Sequence, residues 1–174
     1  MNKNSSSGGI EQLCPNCGLC CDSTLFADVE LRAGDDAKRL VKLGLTLEKK
    51  GRGKLAFAQP CACFDGKLCK IYDDRPKRCR TFECGLLKKV SANELNAGVA
   101  LKKISEAKIL VKKVRELLCS LGEKNERLAL TKRYANAMSA PIDLSASESD
   151  SEMRGELMLA VNELMRTLQC DFLK

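Results

Sequence analysis

The chemistry in this chain is concentrated in sulfur. Four of its eleven cysteines, Cys14, Cys17, Cys20 and Cys21, fall within the ten residues CPNCGLCCDS. Five more, Cys61, Cys63, Cys69, Cys79 and Cys84, lie within PCACFDGKLCKIYDDRPKRCRTFEC. Two residues between cysteines let a tight turn bring both sulfurs to one metal while backbone N–H groups donate to them. Two overlapping C-x2-C turns, joined at once by a fourth thiol, therefore predict metal ligation rather than inert buried thiols. Cys14, Cys17 and Cys20 share a three-residue period and can face one metal. The side chain of Cys21 diverges from that of Cys20, free to ligate a second metal or to tie the first loop to the Cys61–Cys84 group.

The remaining chemistry is narrow. There is no histidine, so the commonest general base and the commonest neutral metal ligand are both missing. The opening MNKNSSSGG lacks the apolar stretch of a secretory signal, which predicts a cytoplasmic, reducing location. An odd number of cysteines cannot all pair within one chain, so a disulfide framework is the minor reading. No apolar run approaches the roughly 20 residues of a membrane span. The net charge of +7 is uneven: residues 1–90 hold 17 Lys or Arg against 11 Asp or Glu, the remainder 13 against 12. A basic surface suggests nucleic acid, but four thiolates around one Zn²⁺ or one cubane cluster carry about −2. Lys67, Lys70, Arg75, Lys77, Arg78 and Arg80 lie among the cysteines and can offset that charge. With aromatic residues only 4% of the chain, a stacking platform for nucleic acid is disfavoured.

The elements that must position these thiols are short. We expect an α+β fold: an irregular, metal-stabilised, cysteine-rich domain with few short strands, followed by a helical hairpin or bundle. The divisions are a disordered polar tail over 1–11, the cysteine domain over 12–89 and a three-helix region over 90–174. Ala37 to Leu45 reads as a helix capped by Asp35 or Asp36, with Leu40, Val41 and Leu45 on one face. Strands on either side of KKGRG, Lys49 to Gly53, form a hairpin. Asp65-Gly66 makes a turn, and Asp73 or Asp74 before Arg75-Pro76 caps a helix carrying Cys79. Ser91 and Glu94 have the spacing of a capping box. A long amphipathic helix follows, with Leu101, Ile104, Val111, Val114 and Leu118 on one side, ending near Gly122. Glu123 to Met138 forms a second helix, stopped before Pro141. The acidic DLSASESDSE links it to a third, striped by Met153, Leu157, Val161, Leu164 and Leu168. These helices either pack on the cysteine domain or recruit a protein partner.

Other residues have duller roles. Cys119 and Cys170 read as small buried hydrophobes, and Tyr72 as packing beside a metal loop. Arg75 and Arg80 neutralise thiolates or hydrogen-bond loop carbonyls. Asp22, Asp65, Asp73 and Asp74 sit where caps and turns want a carboxylate.

Taken together, Cys14-x2-Cys17-Gly18-x-Cys20-Cys21, Cys61, Cys69-x-Ile71-Tyr72 and Arg75-Pro76-x2-Cys79-Arg80-x-Phe82-x-Cys84 resemble the YkgJ family of cysteine-cluster proteins, zinc- or iron-chelating domains defined by CxxCxxCC. The resemblance runs from Leu13 to about Leu86 and leaves the helical half uncovered. It implies Cys14, Cys17, Cys20, Cys21, Cys61, Cys69, Cys79 and Cys84 as metal ligands; Cys63 falls where the family has an apolar residue. The metal is then zinc or iron, held as structural ions or as a four-iron four-sulfur cluster. Two functions follow: a non-catalytic metal-binding protein, or an iron–sulfur oxidoreductase or cluster-dependent modifying enzyme using a surplus thiol such as Cys63. No catalytic set of side chains is evident.

Overall fold

In a computed structural model, residues 10–139 and 148–174 are described. Of the expected tail over residues 1–11, residues 1–9 lie outside them, whereas Ile10 packs partly buried against the hydrophobic core. Pro141 and the first half of the expected acidic linker, 143–147, also lie outside, and its second half, 148–152, is helix rather than linker. The fold is α+β: a small antiparallel sheet and short helices, then long helices.

The sheet is β1 (Asp28–Glu30), β2 (Glu48–Lys49) and β3 (Leu55–Ala58), in the order β1-β3-β2. β2 and β3 are the expected hairpin, turning through a 3₁₀ segment at Gly51–Gly53 and pairing Glu48 with Ala56. Three-residue β1 carries no strand pattern in the sequence, yet it pairs Val29 with Phe57 on the other edge of β3. Helix α1 is Leu13–Cys17, and α2 is Ala37–Lys42, where Asp36 caps by accepting from the Arg39 N–H. Leu40 and Leu45 are buried as expected, but Val41 is 52% exposed, because it lies about 100° round the helix from Leu40.

Helix α3 (Lys77–Thr81) carries Cys79, but neither Asp73 nor Asp74 caps it. The carboxylate of Asp35 accepts the Lys77 N–H at 2.7 Å, and Asp74 pairs with Arg39 at 2.7 Å. A further helix, α4 (Gly85–Ser91), occupies the stretch between the two halves. Ser91 is its last residue, and the Glu94 N–H donates to the Lys89 carbonyl, so no capping box forms. The long helix α5 (Ala97–Ser120) begins instead at Asn96, whose side chain accepts from the Gly98 N–H. It ends as expected before Gly122, at φ 86°. Helix α6 is shorter than expected, Leu130–Ser139, because the Glu123 carboxylate accepts the Asn125 N–H and holds 123–126 in a turn. Helix α7 spans Glu148–Asp171.

Two hydrophobic cores result. The larger joins the cysteine end to the helices: Leu13, Leu19, Leu86 and Val90 pack with Ile104, Val111, Val114 and Leu118 of α5 and with Leu157, Leu164, Leu168 and Phe172. The helices therefore pack on the cysteine loops. Helices α5 and α7 run antiparallel, tied by Lys103 to Asp171 at 2.8 Å and by Lys113 to Glu156 at 3.0 Å. The smaller core, Val29, Leu40, Leu45, Phe57, Cys63 and Ile71, lies between the sheet and α2. The cysteine loops run between these two cores.

Candidate metal centre

Helix α1 starts the first loop, with Cys14 and Cys17 one turn apart. It ends at Gly18, whose φ of 74° is left-handed and whose N–H donates to the Cys14 carbonyl at 3.2 Å. The Cys21 and Asp22 N–H groups then return to the Gly18 carbonyl at 2.8 and 3.0 Å, closing the turn that presents Cys20 and Cys21. A methyl at Gly18 would meet the Phe64 ring at 2.6 Å. The tightness of the first loop is thus matched to a side chain from the second.

The Asp22 carboxylate accepts the Thr24 N–H and pairs with Arg115 of α5 at 3.1 Å, fastening the loop to the bundle. Asp65 behaves as a turn residue, accepting the Lys67 and Leu68 N–H groups, and Phe64 bridges to Cys69 to fold the second segment back. The two segments meet through the backbone, where the Cys61 N–H donates to the Cys21 carbonyl at 2.8 Å. Cys84 precedes α4, and the Gly85 N–H donates to the Phe172 carbonyl at 2.9 Å.

One cleft of about 770 Å³ is lined by Cys14, Cys17, Cys20, Cys21, Cys61, Cys69, Cys79 and Cys84, the eight cysteines that the family resemblance implies. Cys63 does not line it; it is 3% exposed, and its Sγ donates to the Leu43 carbonyl at 3.4 Å. Its position in the smaller core accounts for an apolar residue being acceptable there. Cys119 and Cys170 are exposed rather than buried, since each lies off the apolar stripe that Leu118 and Leu168 continue. Tyr72 is 55% exposed and packs no core; Arg75 stacks on its ring at 3.6 Å and donates through Nε to the Tyr72 carbonyl.

The thiols are poor acids in this setting. Burial pushes Cys17, Cys21 and Cys79 up to about 12 and Cys61 to about 11, with neighbouring thiols adding to the rise. Cys20 goes higher still, again chiefly through burial. Two N–H groups oppose the trend: Leu19 donates to Cys17 and Cys63 to Cys61, each two residues on from the sulfur it serves. Arg75 is the cation that acts on Cys14 and on Cys79, lowering both in part. Buried thiolates so lightly compensated need a bound cation. The donor set is all sulfur, which suits Zn²⁺ or iron and not a hard cation. Among the described residues no three such groups already converge tightly enough to hold an ion, so binding requires the loops to draw together.

No helix among the described residues is long and apolar enough to cross a membrane. Comparison with curated proteins and with solved structures finds no match. A family model does match, over residues 13–127: CxxCxxCC, described as "Putative zinc- or iron-chelating domain". That range takes in both cysteine segments and all of α5, the helix to which the first loop is fastened, and the chain belongs to the CxxCxxCC family of zinc- or iron-chelating domains.

Proposed function

We propose that the protein chelates zinc or iron through Cys14, Cys17, Cys20, Cys21, Cys61, Cys69, Cys79 and Cys84, and that the bound metal holds the cysteine loops between the two cores. The observation that carries this reading is selective placement: those eight thiols line one cleft, while the other three cysteines do not. When bound, the metal supplies the positive charge that makes thiolates tolerable in a half-buried cleft. The chain supplies sulfur donors, two N–H groups aimed at sulfur, and the Arg75 guanidinium. Cys63, the surplus thiol an oxidoreductase would enlist, is closed off against Leu43, which favours chelation over thiol chemistry.

Elemental analysis with an absorption spectrum on anaerobically prepared protein tests the proposal. Zinc or iron in at least stoichiometric amount is expected, with thermal unfolding at a lower temperature after prolonged chelation. A protein that contains no metal and keeps the same thermal unfolding in chelator would contradict it.

A further inference from the structure

The eight cysteines are not distributed evenly around the cleft. Cys17 and Cys84 pack against the larger, helical core, whereas Cys61, Cys69 and Cys79 pack against the smaller, sheet-side core. Backbone ties explain the sorting. Cys84 leads into α4, whose Leu86 and Val90 belong to the helical core together with Leu13 and Leu19 of the first loop. Cys69 is folded onto Cys61 and Cys63 by the Phe64–Cys69 bridge and by the Lys70 N–H donating to the Cys63 carbonyl at 2.8 Å. Cys79 rides on α3, which Asp35 anchors from the α2 side.

The boundary falls inside the first loop. Cys14 and Cys17 share α1, and Leu13 and Leu19, which flank the Cys14–Cys20 run, are buried in the helical core. Cys20 interacts most strongly with Cys17, whereas Cys21 interacts most strongly with Cys61, Cys69 and Cys79. The Cys61 N–H to Cys21 carbonyl bond fixes Cys21 on that far side. Each group therefore holds four thiols, the number that closes a tetrahedral zinc site or ligates one iron–sulfur cluster. Arg75 lines the same cleft and acts on Cys14 of one group and on Cys79 of the other.

Resting on the chelation reading above, we propose that the protein carries two separate four-thiolate centres, one of Cys14, Cys17, Cys20 and Cys84 on the helical core and one of Cys21, Cys61, Cys69 and Cys79 on the sheet core, joined by the Cys20–Cys21 peptide bond. The adjacent cysteines are the hinge between two sites rather than two ligands of one. Each centre clamps a different core, so losing one leaves the other able to load.

Cadmium-113 NMR on the full chain, reconstituted anaerobically with Cd²⁺ alone, tests this by counting centres directly. Two resonances of equal area in the all-sulfur region are expected, with two equivalents bound. Cys84→Ser should abolish one resonance and Cys69→Ser the other, each leaving about one equivalent and the far-UV circular dichroism of the unaffected part. A single resonance in the wild-type protein, or loss of the same resonance from both variants, overturns the two-centre assignment while leaving chelation intact. Absence of any Cd²⁺ uptake by the wild type overturns the chelation reading itself. The wild-type count decides the matter even where a variant does not fold.

Discussion

At Gly18 two requirements coincide: a left-handed backbone and a ring where a side chain would go. A left-handed conformation costs a residue bearing Cβ about 1–2 kcal/mol, and Phe64 would also have to move. Gly18→Ala is therefore expected to destabilise the protein by more than that amount, measured by denaturant unfolding, and to weaken metal retention. Pairing it with Phe64→Leu should recover only the part due to contact, because the backbone strain stays. Residue roles were unevenly legible in the sequence. Spacing points to two groups of cysteines and the family resemblance reduces them to the eight that line the cleft, setting Cys63 aside, and Asp65 and Arg75 do what their positions suggest. Cys119 and Cys170 were misjudged because cysteine's general preference for burial was allowed to outweigh the helical period, which puts both beside the stripe rather than on it. Tyr72 escaped because nothing local reveals that Arg75 will stack on its exposed face.

Among the elements, the end of α7 bears on the site from the far end of the chain. A methyl on Gly85 would meet the Asp171 and Lys174 carbonyl oxygens, both at 2.7 Å. These are backbone atoms, so the chain itself must shift to make room. Gly85→Ala is expected to cost about 1–3 kcal/mol as overpacking and to displace the C-terminal turn. Phe172 is 1% exposed, and Phe172→Ala is expected to cost about 3–5 kcal/mol. Thermal unfolding checks both, and a loss of bound metal alongside would show that α7 supports Cys84. No local sequence signal links Gly85 to residue 172, so this buttress was invisible before folding. Helices α5 and α7 were readable because their apolar residues recur at helical spacing over many turns. The start of α5 was misplaced because Ser91 and Glu94 imitate a capping box, while the true cap, Asn96, accepts from a nearer N–H. Strand β1 was missed because three residues are too few to show alternation.

For the whole molecule, the cleft divides two cores, and its thiols couple metal, protons and stability. In the metal-free protein the raised thiols hold their protons below pH 9, the ordinary value from which they are displaced, in the folded and unfolded chain alike. Above pH 9 the unfolded chain ionises first, so the metal-free fold is expected to lose stability progressively as pH rises toward about 12. The loaded protein, its thiols already deprotonated, should show no such decline over that range. Thermal unfolding of both forms between pH 8 and 10 measures the difference. In the opposite direction, metal must displace thiol protons at neutral pH, so uptake should release protons and affinity should strengthen steeply as pH rises. A competition titration at two pH values, with the competitor's own protonation accounted for, checks that sign.

The central claim is that sulfur alone holds the metal. X-ray absorption at the zinc or iron edge of the anaerobically isolated protein tests it most directly. For zinc, the account predicts a first shell of four sulfurs at about 2.3 Å; for iron, a first shell made of sulfur. Since the chain has no histidine, a first shell dominated by oxygen or nitrogen would mean that carboxylates, backbone or solvent hold the metal, and would contradict the account.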